Sequence, residues 1–266
     1  MDKTSVIGVL LGVVALLVGM VAKGTSLAVL VNPAAILIIF VGTIAAVLIA
    51  FPTNEIKNVP KLFKILFSDQ KEQKIVDVIP FFVECSKVAR QEGLLSLGNK
   101  IEEVEDPFLK QGLQMTMDGM EPEYIRDTME EEIAAMQDRH AVGAGIFTQA
   151  GTYAPTLGVL GAVLGLIAAL GDLNDMDALG YAIAAAFVAT LFGIFSGYVL
   201  WHPFANKLKR KSKQEVMVKQ IIVEGVLSIQ QGVAPRAIEE KLLVYLPIRE
   251  RNKLQSTDGK GADIDA

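Results

Sequence analysis

Hydrophobic and polar positions along this chain fall into long blocks. Four stretches, Thr4–Ala22, Gly24–Asn54, Ala141–Gly171 and Ala178–Asn206, contain no Asp, Glu, Lys or Arg. Crossing a bilayer as a helix takes roughly 20 apolar residues, so each stretch is long enough to span. The polar blocks between them carry helical patterning. Ile75–Gln91 places Ile75, Ile79, Phe82, Val83 and Val88 on one side, and neither strict alternation nor Asn-Gly hairpins occur. The pattern predicts an all-α polytopic membrane protein with four transmembrane helices and a helical cytoplasmic domain, its third and fourth spans extended into the cytoplasm.

Prolines and caps divide the chain. Residues 1–51 read as a membrane hairpin with spans at about 4–22 and 33–51, turning near Lys23–Pro33 and ending at Phe51-Pro52 and Val59-Pro60. Residues 52–144 form a cytoplasmic helical loop domain, in which Asp106-Pro107 and Glu121-Pro122 each start a helix. A second hairpin occupies 145–203, with spans at about 151–171 and 179–202. With no proline between Pro122 and Pro155, the helix begun at Pro122 is expected to run into the third span. The fourth span is expected to continue past Pro203 to a break at Gly232 and a restart at Pro235, within a helical tail over 204–255, before a disordered end at 256–266.

Charge orients the scheme. The hydrophobic fraction is 52% and the mean hydropathy +0.41, high for a chain without membrane spans. Eleven Lys and Arg fall in Pro52–Ala150 and twelve in Pro203–Ala266, whereas the short connections between spans hold only Lys23 and the acids Asp172, Asp175 and Asp177. The positive-inside rule then places both termini and the long loop in the cytoplasm, the chain being a multi-pass membrane protein. The n-region Met1-Asp2-Lys3 is short and no small-x-small cleavage site follows, so the first span is read as a retained helix. Cys85 is the sole cysteine, lies among Phe81, Phe82 and Val88, and reads as a buried structural thiol.

The spans themselves carry little chemistry. A protein that moved ions alone would keep an ionisable group at mid-membrane, and none is here; if ions cross, another subunit supplies the carboxylate. Gly-x-x-x-x-Gly-Lys-Ser/Thr, Gly-x-Ser-x-Gly and His-Glu-x-x-His are absent, and His140 and His202 lie far apart, so the chain is read as no enzyme, with no catalytic residue, cofactor, metal or nucleic-acid partner. His202 beside Trp201 reads as an interfacial anchor. The third and fourth spans instead carry small residues at helical spacing (Gly151, Ala154, Gly158, Gly161, Ala162, Gly165 and Ala168; Ala182, Ala186, Ala189, Gly193 and Gly197), either for close packing of these helices or for an interface with another subunit. Pro155 and Pro203 interrupt the two helices, as plain kinks or as a hinge with exposed carbonyls at matched depth. Thr190, taken alone, bonds a carbonyl of its own helix. Five basic residues in Lys207–Lys213 fit an anchor at the lipid headgroups.

The runs Ala154-Pro155-Thr156-Leu157-Gly158-Val159-Leu160-Gly161-Ala162-Val163-Leu164-Gly165-Leu166, Ala189-Thr190-Leu191-Phe192-Gly193 and Pro203-Phe204-Ala205-Asn206-Lys207-Leu208 resemble the motility protein A family, the A subunits of bacterial flagellar stators, in the MotA/PomA branch of the MotA–TolQ–ExbB superfamily. Arg90-Gln91-Glu92-Gly93-Leu94-Leu95-Ser96-Leu97 resembles its cytoplasmic motif, and Glu224-Gly225-Val226-Leu227-Ser228-Ile229-Gln230 its tail motif. The resemblance covers nearly the whole chain in order. It implies a homo-oligomer, a pentamer, around B subunits (MotB-like) whose single span supplies the ion-binding Asp, and ion flow that turns the ring against the rotor protein FliG. It makes Pro155, Pro203 and Thr190 ion-path residues, places Ala162 where sodium-driven members have Thr, and makes Arg90 a rotor-binding residue. The family's acidic rotor contact falls at Gly98, with Glu102 or Glu103 one turn on as stand-ins. Proton drive is therefore expected, against a sodium-driven stator or an ExbB/TolQ-type energiser of envelope proteins. The latter resembles a three-span design, which the four-span count opposes. A passive scaffold is the remaining class.

Overall fold

The computed structural model describes residues 3–68, 75–171, 176–246, 248 and 251. The connection at Asp172–Asp175 and the end at 256–266 lie outside them. The described residues form helices and turns, with no strand among them. Four helices are long and apolar enough to cross a membrane: α1 (Lys3–Ala22), α2 (Pro33–Ala50), and segments of two longer helices given below. After α2 come α3 (Val59–Phe67), α4 (Ile75–Glu92) and α5 (Pro107–Met117). Next are α6 (Pro122–Leu170), unbroken over 49 residues, α7 (Met176–Gln230), 55 residues long, and α8 (Pro235–Leu243). Both long helices run on as the proline spacing predicts.

The chain forms two compact units, one of residues 1–70 and 139–211 and one of 71–138 and 212–266. In the first, α1 is an apolar rod with no buried residue, and α2 buries Ala35, Ile39, Thr43 and Val47 along one side. Asn32 caps α2, its side-chain oxygen accepting from the Ala35 N–H at 3.1 Å, and Pro33 occupies the first turn where its missing N–H costs nothing. Mid-helix, Leu37–Val41 widens into a π-turn, and the buried Thr43 hydroxyl donates to the carbonyl of Ile39 beside it. The short helix α3 belongs to this unit. Its Leu66 is fully buried with Ala144, Phe147, Phe204, Ala205 and Leu208, and Phe63 stands edge-on to Phe147 at 5.2 Å. The Lys211 ammonium closes the end of α3, donating to the carbonyls of Ile65 (2.7 Å) and Ser68 (2.9 Å), where a helix C-terminus favours positive charge.

The second unit packs α4, α5, α8 and the polar lengths of α6 and α7 around Phe82, Phe108, Leu113, Ile125, Met129, Ile222 and Leu227. Asp106 caps α5 as its Asp-Pro sequence predicts, accepting from Phe108 (2.8 Å) and Leu109 (3.3 Å), a cap worth about 1 kcal/mol. Gly232 ends α7 at φ +67°, with Gly232 N–H bonded to the Ile229 carbonyl and Val233 N–H to that of Ser228. A left-handed residue is needed for this pair of bonds, which satisfies the last free carbonyls of the helix. Cys85 is fully buried; burial first, and then the neighbouring Glu84 carboxylate, push its thiol up to about 12. It is inert at neutral pH.

Candidate functional site

The small-residue rows of α6 and α7 are the seam between these helices. A methyl group built on Gly158 would lie 3.0 Å from the Ala189 carbonyl oxygen and 3.0 Å from the Gly193 Cα. One on Gly197 would lie 2.8 Å from the Gly151 carbonyl oxygen and from the Pro155 ring. The backbones touch because no side chain separates them. Pro155 has no N–H to offer the Gly151 carbonyl, and that carbonyl faces the Gly197 backbone. It is covered by the neighbouring helix.

On one side of this seam sits α2. Ala154 is buried with Ala35, Ile39 and Ala189, a methyl on Gly161 would meet Ile38 at 3.7 Å, and one on Gly42 would meet Leu157 at 3.2 Å. Successive residues turn by about 100°, in the same sense for both members of an antiparallel pair when referred to the seam. Ala162 follows Gly161 and Thr190 follows Ala189, so both are carried to the flank opposite α2. Both are half-buried, and around them Phe187 is 72% and Val159 55% exposed. Neither helix places an Asp, Glu, Lys or Arg within its apolar stretch on this flank. Thr190 donates to the Ala186 carbonyl of its own helix at 3.3 Å. The same flank continues along α6 as a row of hydroxyls, Thr148, Thr152 and Thr156, each bonded to a carbonyl three or four residues back. Sequence reading missed this row, although its spacing of four across Pro155 was there to find.

The two prolines are not at one depth. Pro155 is level with Gly193 and Gly197, whereas the His202 ring lies over Gly151, 2.8 Å from a methyl placed there, so Pro203 sits more than a turn further along. The His202 ring packs inward on that glycine, and Trp201 is tilted beside Phe147 at 6.2 Å, so both rings are packing elements. Ser196–Trp201 forms a π-turn immediately before Pro203, with the His202 N–H bonded to the Gly197 carbonyl. A proline that cannot complete the ladder and a widened turn beside it are one adjustment.

The remaining candidates lie in the other unit. Arg90 is exposed in the last turn of α4, which Gly93 ends at φ +90°. Leu94–Leu97 then makes a tight turn that buries Leu97 and leaves Leu95 79% exposed, an apolar tip that the sequence did not single out. Gly98 has ordinary helical φ, and a methyl there meets only the Met117 sulfur at 3.8 Å. Lys100 pairs with Glu84 at 2.8 Å and Glu103 at 3.6 Å. Of the two acidic stand-ins, Glu103 is thus engaged, whereas exposed Glu102 makes no ion pair among the described residues.

The tail motif proves to be a packing device. Gly225 lets α7 lie on Phe82, 2.6 Å from a methyl placed there, and the Glu224 carboxylate holds Lys241 at 2.6 Å and Arg126 at 3.4 Å. Burial acts to raise the Glu224 carboxyl, but the Lys241 ammonium and the Arg126 guanidinium prevail and hold it below the usual carboxylate range.

The MotA/TolQ/ExbB proton channel family model matches residues 100–221, and the motility protein A N-terminal model matches residues 6–93. Motility protein A of Bacillus subtilis is 64% identical over 253 residues, 95% of this chain and 94% of that protein. The structure of the flagellar MotAB stator complex from Bacillus subtilis superposes with a TM-score of 0.91 at 64% identity, covering 95% of this chain and 99% of that one. The C. jejuni MotAB structure superposes with a TM-score of 0.89 at 30% identity, covering 93% and 97%. On these matches over nearly its whole length, the chain belongs to the motility protein A family.

Proposed function

We propose that this chain is the A subunit of a flagellar stator, which with a B subunit forms a proton-conducting complex that couples ion flow to rotation of the flagellar rotor. One observation carries the reading: the α6–α7 seam presents an open apolar flank, with Ala162 and Thr190 on it, and no carboxylate of its own. A second helix bearing an acid completes such a surface. The MotAB composition of the related complexes supports a MotB-like B subunit as its source.

In this reading Thr190 offers the carboxyl group its hydroxyl, Ala162 leaves room beside it, and Thr148, Thr152 and Thr156 continue the polar path. Pro155 and Pro203 set the shapes of the two helices. A pentamer would surround the B subunits. Arg90 and Glu102 would meet complementary charges on FliG, with Leu95 between them in sequence. The membrane segments lie in the bacterial inner membrane with both termini cytoplasmic.

The test is complementation. Expressed with its B subunit in cells that build flagella but lack stators, the chain should restore swimming, and removing it should paralyse cells without loss of filaments. Proper insertion of both subunits without any swimming would sink the reading.

A further inference from the structure

Histidine is the side chain that ordinarily exchanges a proton near neutral pH, and the four charge-free stretches hold one, His202. Its place follows from the packing of α7. Ala189 and Trp201 both turn to the cluster that holds α2, so Thr190 and His202, each the next residue, turn to the flank away from α2. Twelve positions separate them, and the π-turn at Ser196–Trp201 absorbs one. Eleven regular steps of about 100° make three turns plus about 20°, which keeps the two side chains in line about 16 Å apart. Ala162 and Gly151 stand the same eleven steps apart on α6. The half-buried His202 ring accordingly lies over Gly151, where a methyl would be 2.8 Å from Cδ2 and 2.9 Å from Cε1. Thr152 and Thr156 stand between these two levels and Thr148 just beyond. Each hydroxyl hydrogen is committed to a carbonyl of α6, so toward water these groups are acceptors. Among the described residues neither ring nitrogen of His202 makes a hydrogen bond.

We propose that His202 is the proton acceptor at the cytoplasmic end of the ion path. The O–H bond of the B subunit's carboxylic acid breaks, the proton passes along water beside the threonine hydroxyls, and an N–H bond forms at a ring nitrogen. The imidazolium then gives its proton to cytoplasmic water, so the ring is restored and one proton has moved inward. On α7 the neighbouring titratable groups are Tyr198, its ring centroid 5.4 Å from that of His202, and Lys207, five residues on. Helix α6 meets the ring with Gly151 and carries Tyr153 two residues further, while α1, beyond Tyr198, brings Thr4, Ser5, Gly8 and Val9. The assignment rests on the stator reading and on the topology proposed with it.

Rotation speed is measured at low load, where drag does not set the pace, in stator-less cells expressing the full chain with its B subunit. His202→Phe keeps a ring on Gly151 but carries no proton. It should cut the speed about tenfold, less than the loss of an enzyme's general base because water can stand in. His202→Ala should be as slow and should recover in part with millimolar imidazole, which enters the vacated space, whereas His202→Phe should not recover. At fixed proton-motive force, wild-type speed should fall as a permeant weak acid takes the cytoplasm below about pH 6.5, where an imidazolium no longer releases its proton. Full speed in His202→Phe, or a slow His202→Ala that binds the B subunit yet ignores imidazole, overturns the assignment. If the variants fail to insert, wild-type speed indifferent to cytoplasmic pH overturns it. A wild-type chain that never restores swimming fails the stator reading instead.

Discussion

Gly193 and Gly158 face each other across two membrane helices so closely that a methyl on Gly193 would lie 2.9 Å from the Gly158 Cα and 2.7 Å from the Ala154 carbonyl oxygen. The obstructing atoms are backbone and cannot rotate away. Gly193→Ala should therefore destabilise the membrane unit by about 1–3 kcal/mol, the usual cost of overpacking, and Gly158→Ala by a similar amount. Gly180→Ala, on the same helix with nothing within 4 Å, should be neutral. Thermal unfolding in detergent compares the three. Equal midpoints would show that the seam can part without cost.

The Glu224 carboxylate titrates with a definite sign. Its folded pKa lies below the ordinary value of 4.5, so the stability it lends is complete above that value and is lost as the pH falls through the folded pKa. Glu224→Gln should cost about 1 kcal/mol near neutrality, an ion pair that is only partly buried. The wild-type and variant unfolding midpoints should converge as the pH falls below 4.5 and through the lowered folded pKa. Midpoints that already coincide near neutrality would mean that the ion pairs with Lys241 and Arg126 contribute nothing.

The ion should be a proton. A carboxyl group brought into a low-dielectric site has a raised pKa and holds a proton readily, whereas a dehydrated sodium ion needs several oxygen ligands. At the depth of Ala162 the flank offers one hydroxyl, that of Thr190. Swimming speed should fall with an uncoupler at constant sodium and ignore sodium removal at fixed proton-motive force. Thr190→Val should slow rotation more than Ala162→Gly. Speed that follows external sodium would reassign the ion.

Charge should govern the rotor contact. Arg90 is exposed, and reversing it to Glu should cut torque while leaving membrane insertion and B-subunit binding intact, with partial rescue by the opposite reversal on FliG and weakening by salt. Gly98→Glu adds an acid where the backbone is helical and the space open, so it should be tolerated and should make loss of Glu102 harmless. A B-subunit binding defect in Arg90→Glu would make that residue structural.

What could be read from the sequence was what is local. Charge-free blocks gave the four spans, Asp106-Pro107 gave a cap, and the proline gaps gave helices that run on beyond the membrane. What escaped depends on distant partners. The Gly151 carbonyl looked exposed because Pro155 cannot bond it, and only the packing of Gly197 covers it. Nothing in Val59–Phe67 announces that its phenylalanines meet Phe147 and Phe204. The choice between Glu102 and Glu103 turned on Lys100, whose preference for Glu84 and Glu103 is a matter of geometry. Leu95 is one leucine among many until its neighbour Leu97 takes the buried place.

The π-turn at Ser196–Trp201 has a consequence for length. A π-turn holds one residue more than the plain helix needs, so everything after it is phase-shifted relative to everything before. The glycine row up to Gly197 is aimed at α6, while Lys207 and Phe204 beyond it serve α1 and α3. A single-residue deletion between Tyr198 and Leu200 should remove the surplus and let the helix close up regularly with the later residues still on their partners, whereas the same deletion in a plain turn of α7 should swing them about 100° off. Here the number of residues, more than their identity, keeps two sets of contacts in step.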